Sequence, residues 1–176
     1  MPSTPLRSVD DIRQAAVLLP KGCYFEDFEP GRVFEHHWGR TLTESDNSFF
    51  TTMTLHFNPI YFNQNHAQSL GYERCPVNPY LVFNLVFGLS TEDLSELGGA
   101  FLGVDDMVFE QPVYPGDTLV ARSTVVDRRE SSSRKDQGIV TWHTEGLRQG
   151  QRVIHFRRTN LVLRKPAARP SAGLQP

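Results

Sequence analysis

The sequence predicts a single α+β domain in which an antiparallel sheet wraps around one central apolar helix. Two observations carry that expectation. The stretch NPYLVFNLVFGLS, which begins at Asn78, is almost wholly apolar over residues 80–89. Periodicity alone does not separate a buried helix from a buried strand there, but the start of the stretch does. Asn78 is a strong N-cap, and Pro79 suits the first helical position, where a missing N–H costs nothing. A helix apolar on every side is expected to be buried all round. The second observation is the β-rich remainder of the chain, with turn signals at PVYPGD and LRQGQ. It gives four strands to wrap around the helix, with a fifth ahead of it.

The elements follow in order. Residues 1–22 read as an arm, with Ser8 or Asp10 capping a short helix over DIRQAAVLL that Pro20 and Gly22 end. GRVFEHHWGRTLTES is a first strand entered through the turn Pro30-Gly31. Thr43 caps a short helix, and MTLHFNPIYFNQNHA then forms a loop that GYERCPVNP closes. His66 falls on a short helix after the loop. Beyond the apolar helix, STEDLSELGG is a short polar helix ending at Gly98-Gly99. The domain is bounded at residues 23–164, and the Pro- and Ala-rich residues 165–176 are expected to be disordered.

Composition narrows the function. A chain of 176 residues, 39% hydrophobic and 22% charged, fits one globular domain. A net charge of -2 gives no electrostatic case for nucleic acid or an anionic membrane. No segment reaches the ~20 apolar residues of a membrane span, and the N-terminus lacks a secretory pattern. Cys23 and Cys75 have no metal-ligand spacing and read as thiols in a reducing compartment. A soluble cytoplasmic protein is the expectation. Twelve phenylalanines point to aromatic filling of a core or a subunit interface.

Two motifs carry a resemblance. FEQPVYPGDTL is very similar to the Phe–x–x–Pro-Val–x–Pro-Gly-Asp turn of the MaoC-like hydratase/dehydratase family, and FEDFEPGRVFE looks like that family's opening. The likeness runs over residues 25–163. The loop HFNPIYFNQNHA lies where the family has Asp–x–Asn-Pro–x–His. Asn58 and Pro59 match the family's Asn-Pro, while His56 holds the aspartate position and Tyr61 the histidine position. At the helix start the family often has His-Gly, whose glycine N–H polarises a thioester carbonyl; Asn78-Pro79 stands there instead. That start resembles the branch acting on mesaconyl- or methylmalyl-type acyl-CoAs.

The resemblance implies a hot-dog fold and reversible addition of water to a 2-enoyl thioester, carried by coenzyme A or an acyl carrier. It implies a homodimer or higher homo-oligomer, and no cofactor apart from coenzyme A as part of the substrate. Hydration needs a base for water, an acid for the α-carbon and donors to the thioester oxygen. His56 suits acid or base work. Tyr61 suits a donor, since a phenol titrating near ~10 is a poor base at neutrality. Asn58 either orients water or holds the loop. Asn78, Tyr80 and Leu81 are the substrate-binding candidates at the helix start, where Tyr80 and Leu81 are expected to offer N–H groups without intrahelical partners at the positive helix end. Arg74 and Arg40 flank the site and suit a substrate carboxylate, or else surface ion pairs. Arg128, Arg129, Arg134 and Lys135, in a basic hairpin tip, have the charge type for coenzyme A phosphates.

Plainer roles stand beside these. His56 lies between Leu55 and Phe57, as a satisfied core histidine would; Tyr61 suits packing, and Asn58-Pro59 a turn. Glu44 and Asp46 suit helix capping, and Asp105-Asp106 a turn at a strand entrance. His36 and His37 alternate across a strand and do not share one metal; His143 and His155 fall on neighbouring strands without a third ligand. No metal site is expected. The alternative to a hydro-lyase is an inactive hot-dog protein that binds an acyl thioester or pairs with an active paralogue. A thioesterase ranks last, because Asn78-Pro79-Tyr80 supplies no carboxylate.

Overall fold

The computed structural model describes residues 22–166, together with residues 8–10 and 13. The expected arm helix, apart from Val9, Asp10 and Arg13, lies outside the described residues, as does the tail from residue 167. Lys165 is tied to the domain, its N–H donating to Glu26 and its ammonium to Asp27.

Five strands form one antiparallel sheet: β1 (Val33–Thr41), β2 (Phe101–Phe109), β3 (Thr118–Glu130), β4 (Gln137–Arg148) and β5 (Gln151–Leu163), in the spatial order β1-β3-β4-β5-β2. Alternation in sequence becomes alternation of faces. Leu119, Ala121, Ser123 and Val125 of β3 are buried, as are Val140, Trp142 and Thr144 of β4, the period of a sheet with one covered face. Asp105 and Asp106 lie within β2, not in a turn before it; Asp106 has φ 52° and sits at a shift of register. This is a bulge, which bends the edge strand.

Helix α1 (Glu44–Met53) starts in a capping box: Thr43 Oγ1 accepts from the Asp46 N–H, and the Asp46 carboxylate accepts from the Thr43 N–H. Helix α2 (Gln64–Ser69) carries His66. Helix α3 (Pro79–Leu89) begins at the predicted Asn78 cap, and α4 (Thr91–Leu94) is a single short turn. Val82 and Val86 of α3 pack with Leu119, Ala121, Ile154 and Phe156 on the sheet. Gly146 makes this contact possible, because a Cβ there would stand 2.6 Å from both Val86 Cγ2 and Ile154 Cγ2.

A second cluster, around Phe28, Phe34, Trp142 and Val162, fills the other end of the sheet. Beside it Arg158 is wholly buried, bonded to the Ser90 and Ser95 hydroxyls and stacked over Phe87. Burial pushes its guanidinium down to about 10.

One expectation is corrected. Helix α3 is not buried all round: Tyr80, Asn84 and Gly88 are exposed along one face. The sheet of a single chain covers one side of a helix, and α1 only flanks it. Between them runs an apolar groove of about 680 Å³, lined by Trp38, Phe49, Phe50, Met53, Leu81 and Leu85 among others.

Candidate active site

The site is built around the loop that leaves α1. The end of α1 has the bonding pattern of a Schellman motif: the Leu55 N–H bonds to Thr52 O, and the His56 N–H to Thr51 O. The pattern needs a left-handed residue at position 55, and Leu55 supplies it with φ 56° where glycine is usual. That turn throws His56 back toward the start of α3. The chain then enters a 3-10 turn, Pro59–Tyr61, in which Asn58 Oδ1 accepts from the Ile60 N–H. Asn58 is exposed and its side-chain oxygen is engaged in capping, so it holds the loop.

His56 and Tyr61 come together as the sequence predicts. Their ring centroids are 5.5 Å apart, edge to face, and Tyr80 lies 5.7 Å from His56 on another side. His56 Nδ1 is 2.9 Å from Asn78 Nδ2. Its Nε2 has no protein partner among the described residues and is not a buried atom. Burial, reinforced by Tyr72 and Tyr80, pushes the Tyr61 phenol above its ordinary value, so it keeps its proton and acts as a donor. Tyr61 walls a cavity of about 230 Å³ with Ile60, Tyr72, Val77, Pro79 and Val113, and separates it from a second cavity that Arg74 lines.

The helix amides differ from expectation. The Tyr80 N–H donates to Asn78 Oδ1 at 3.0 Å, and Leu81 and Val82 both donate to the Asn78 carbonyl. Pro79 has no N–H. The first turn of α3 is therefore closed by Asn78 itself, and Tyr80 and Leu81 offer no free backbone donor to a ligand. Leu81 instead lines the apolar groove.

The arginines divide. The Arg74 guanidinium lies over Tyr114, with Nε 3.9 Å from the exposed Glu73 carboxylate, and stays partly exposed beside the Tyr61 wall. Arg40 is engaged by Asp46 at 2.6 Å and faces the groove, away from the His56–Tyr61 pair. Arg128 is held by Phe25 O, Glu26 O and the Glu29 carboxylate. The hairpin tip that carries Arg134 and Lys135 stands at the far end of β3, roughly 40 Å of strand from the site at ~3.3 Å per residue. It does not reach this chain's own cavity.

Sequence reasoning missed Asn47. Buried on α1, its Nδ2 donates to Tyr61 O and Pro76 O, and its Oδ1 accepts from the Asn78 N–H. One carboxamide thus fastens the loop and the start of α3 to α1. The only signal was a polar residue with a long-range role inside a helix, and no spacing exposes that. A second network was also missed. His36 joins Asp93 through Nδ1 at 2.5 Å and Ser123 through Nε2 at 2.9 Å, and Ser123 meets Thr144. His143 and His155 do meet, at 3.3 Å, and no metal-binding group of three occurs among the described residues.

Comparison with known proteins decides the family. The family model for mesaconyl-CoA hydratase matches residues 5–175. The chain belongs to that family. It is 40% identical over 166 residues to a mesaconyl-CoA hydratase of Haloarcula hispanica, covering 93% of this chain and 46% of that one. A MaoC-domain dehydratase structure from Chloroflexus aurantiacus superposes with a TM-score of 0.78 at 34% identity, over 85% of this chain and 42% of that one. A Mycobacterium tuberculosis protein described as a double hot-dog fold superposes at 0.75 with 23% identity, over 85% and 46%. The fold is a hot dog, and the chain spans under half the length of the mesaconyl-CoA hydratase relatives it matches. No helix among the described residues is long and apolar enough to cross a membrane.

Proposed function

We propose that this chain is a hydro-lyase domain acting on an enoyl thioester of coenzyme A, with a branched or dicarboxylic acyl group. In the forward direction the oxygen of water bonds to the β-carbon, and the α-carbon gains a proton. The observation that carries the reading is the pairing of His56 with Asn78 and its edge-to-face contact with Tyr61, whose ring walls the apolar cavity. His56 presents an open ring nitrogen, Tyr61 presents a protonated phenol, and the adjoining wall is apolar enough for an acyl chain. Arg74, partly exposed on the other side of Tyr61, suits a second carboxylate. The name of the Haloarcula relative supports the mesaconyl class.

The domain works against a second hot-dog unit, either another copy or a further part of a longer chain. The open face of α3 and the apolar groove beside it support this, because Trp38, Phe49 and Met53 on its rim are each more than half exposed. A cytoplasmic location is the reading that the free thiols Cys23 and Cys75 support.

The experiment is turnover of crotonyl-, mesaconyl- and itaconyl-CoA, followed by loss of the enoyl-thioester absorbance, with His56→Ala in parallel. Hydration that vanishes in the variant is expected. Tight acyl-CoA binding without turnover would favour the inactive binding module. That rival has one observation behind it: no carboxylate bonds to His56 among the described residues.

A further inference from the structure

Asn78 has a buried carboxamide whose two ends do different work. The Tyr80 N–H can only donate, so the amide atom it meets at 3.0 Å is the oxygen. The atom 2.9 Å from His56 Nδ1 is therefore the NH2 group, a donor. A donor requires a lone pair opposite it. Nδ1 is thus unprotonated, and the neutral ring carries its proton on Nε2, the nitrogen left without a protein partner. Turning the carboxamide over would set NH2 against the Tyr80 N–H and break the cap, so the helix start and the ring proton are fixed together.

We propose that Asn78 is a positioning residue that holds His56 as a neutral Nε2–H donor, and that this N–H polarises the substrate's thioester carbonyl. The assignment rests on the enoyl-thioester reading above. It follows from what each group has left to offer. In this state Nε2 already carries hydrogen, and the Nδ1 lone pair is spent on Asn78, so His56 serves as a donor and not as the base that activates water. The carbonyl oxygen, in turn, finds no backbone donor at α3, since the Tyr80, Leu81 and Val82 amides are taken and Pro79 has none. A neutral imidazole N–H is an effective electrophile toward a developing oxyanion, because the donor is already oriented before charge appears.

Two measurements on the full chain test this. Long-range proton–nitrogen correlations on 15N-histidine protein are expected to show His56 protonated at Nε2 and bare at Nδ1. Asn78→Asp keeps an oxygen for the Tyr80 cap but puts an acceptor opposite Nδ1, and is expected to invert the pattern. A wild-type ring protonated at Nδ1 overturns the assignment. In turnover, His56→Gln retains an N–H near the Nε2 position and is expected to stay within about tenfold of wild-type kcat. His56→Phe, folded by circular dichroism, is expected to fall about 10²–10³-fold, as when one oxyanion donor is lost. If the Gln variant is as inactive as the Phe variant, His56 works by proton transfer and the proposal is wrong. A wild-type protein without turnover sinks the hydro-lyase reading and the carbonyl role together. The nitrogen pattern still separates that failure from an error in the Asn78–His56 assignment.

Discussion

His36 and His56 are the same side chain put to opposite uses. His36 points inward from β1 with both ring nitrogens engaged, by Asp93 and Ser123. On paper that is an Asp–His–Ser nucleophile set, yet Ser123 and Thr144 are fully buried and no substrate reaches them. His56 has one nitrogen held by Asn78 and the other open. The difference teaches that the order of residues in a hydrogen-bond chain does not make a catalyst. What distinguishes the two histidines is one unspent donor facing outward.

Substitution should separate them. His36→Ala strands Ser123 and Asp93 and opens a cavity, so we expect a loss of about 2–4 kcal/mol in unfolding free energy by urea titration. His56→Ala is expected to cost less, about 1–2 kcal/mol by the same titration, since it strands only the buried Asn78 NH2 and the ring is already partly exposed. Equal losses in the two variants would erase the comparison.

Asn47→Ala comes next. It leaves the buried Asn78 N–H and two loop carbonyls unmet, with an expected cost of about 2–3 kcal/mol and a fall in turnover, because the loop loses its anchor. Thermal melting and the enoyl-CoA assay read the two effects; a variant with native melting and full activity would make Asn47 irrelevant to the site.

The pH response sharpens the contrast further. Burial pushes the His36 imidazole below its ordinary value against the opposing pull of Asp93, and burial likewise lowers His143. Both are neutral when folded and bind protons more readily once unfolded. Their stabilisation is complete above the ordinary histidine value of about 6.5 and is lost as pH falls below it. Urea midpoints should therefore drop between about pH 7 and pH 5.5, with a shallower slope in His143→Gln. A midpoint that rises on acidification would contradict both shifts.

The smallest effect is at Leu55. A left-handed leucine carries a penalty of about 1–2 kcal/mol, and glycine returns part of that gain to the unfolded chain. Leu55→Gly is expected to raise stability by roughly 0.5 kcal/mol in the urea titration. A clear loss would mean that the exposed leucine side chain packs against something beyond this chain.

The elements were legible where the chemistry is local. Asn78-Pro79 announced the start of α3, Thr43 with Asp46 announced α1, and LRQGQ announced the last hairpin. The closing of the first-turn amides was legible in principle, because an asparagine cap takes the second or third N–H by its nature. The Schellman turn before His56 was hidden, since leucine occupies the place where glycine would have signalled it. Asn47, Asp93 and Ser123 were out of reach for another reason. Their partners are distant in sequence, and only the folded sheet brings them together. The bare face of α3 was misjudged because apolar composition tells that a surface must be covered, not that the same domain covers it.

Asn78 also makes the site's proton a gauge of the helix. If the first turn of α3 frays, the carboxamide is released from the Tyr80 amide and from the imidazole in one motion. Exchange of the Tyr80 amide hydrogen with deuterated solvent and scrambling of the His56 tautomers should then follow a single opening equilibrium, so that conditions loosening the helix blur the chemistry before the protein unfolds.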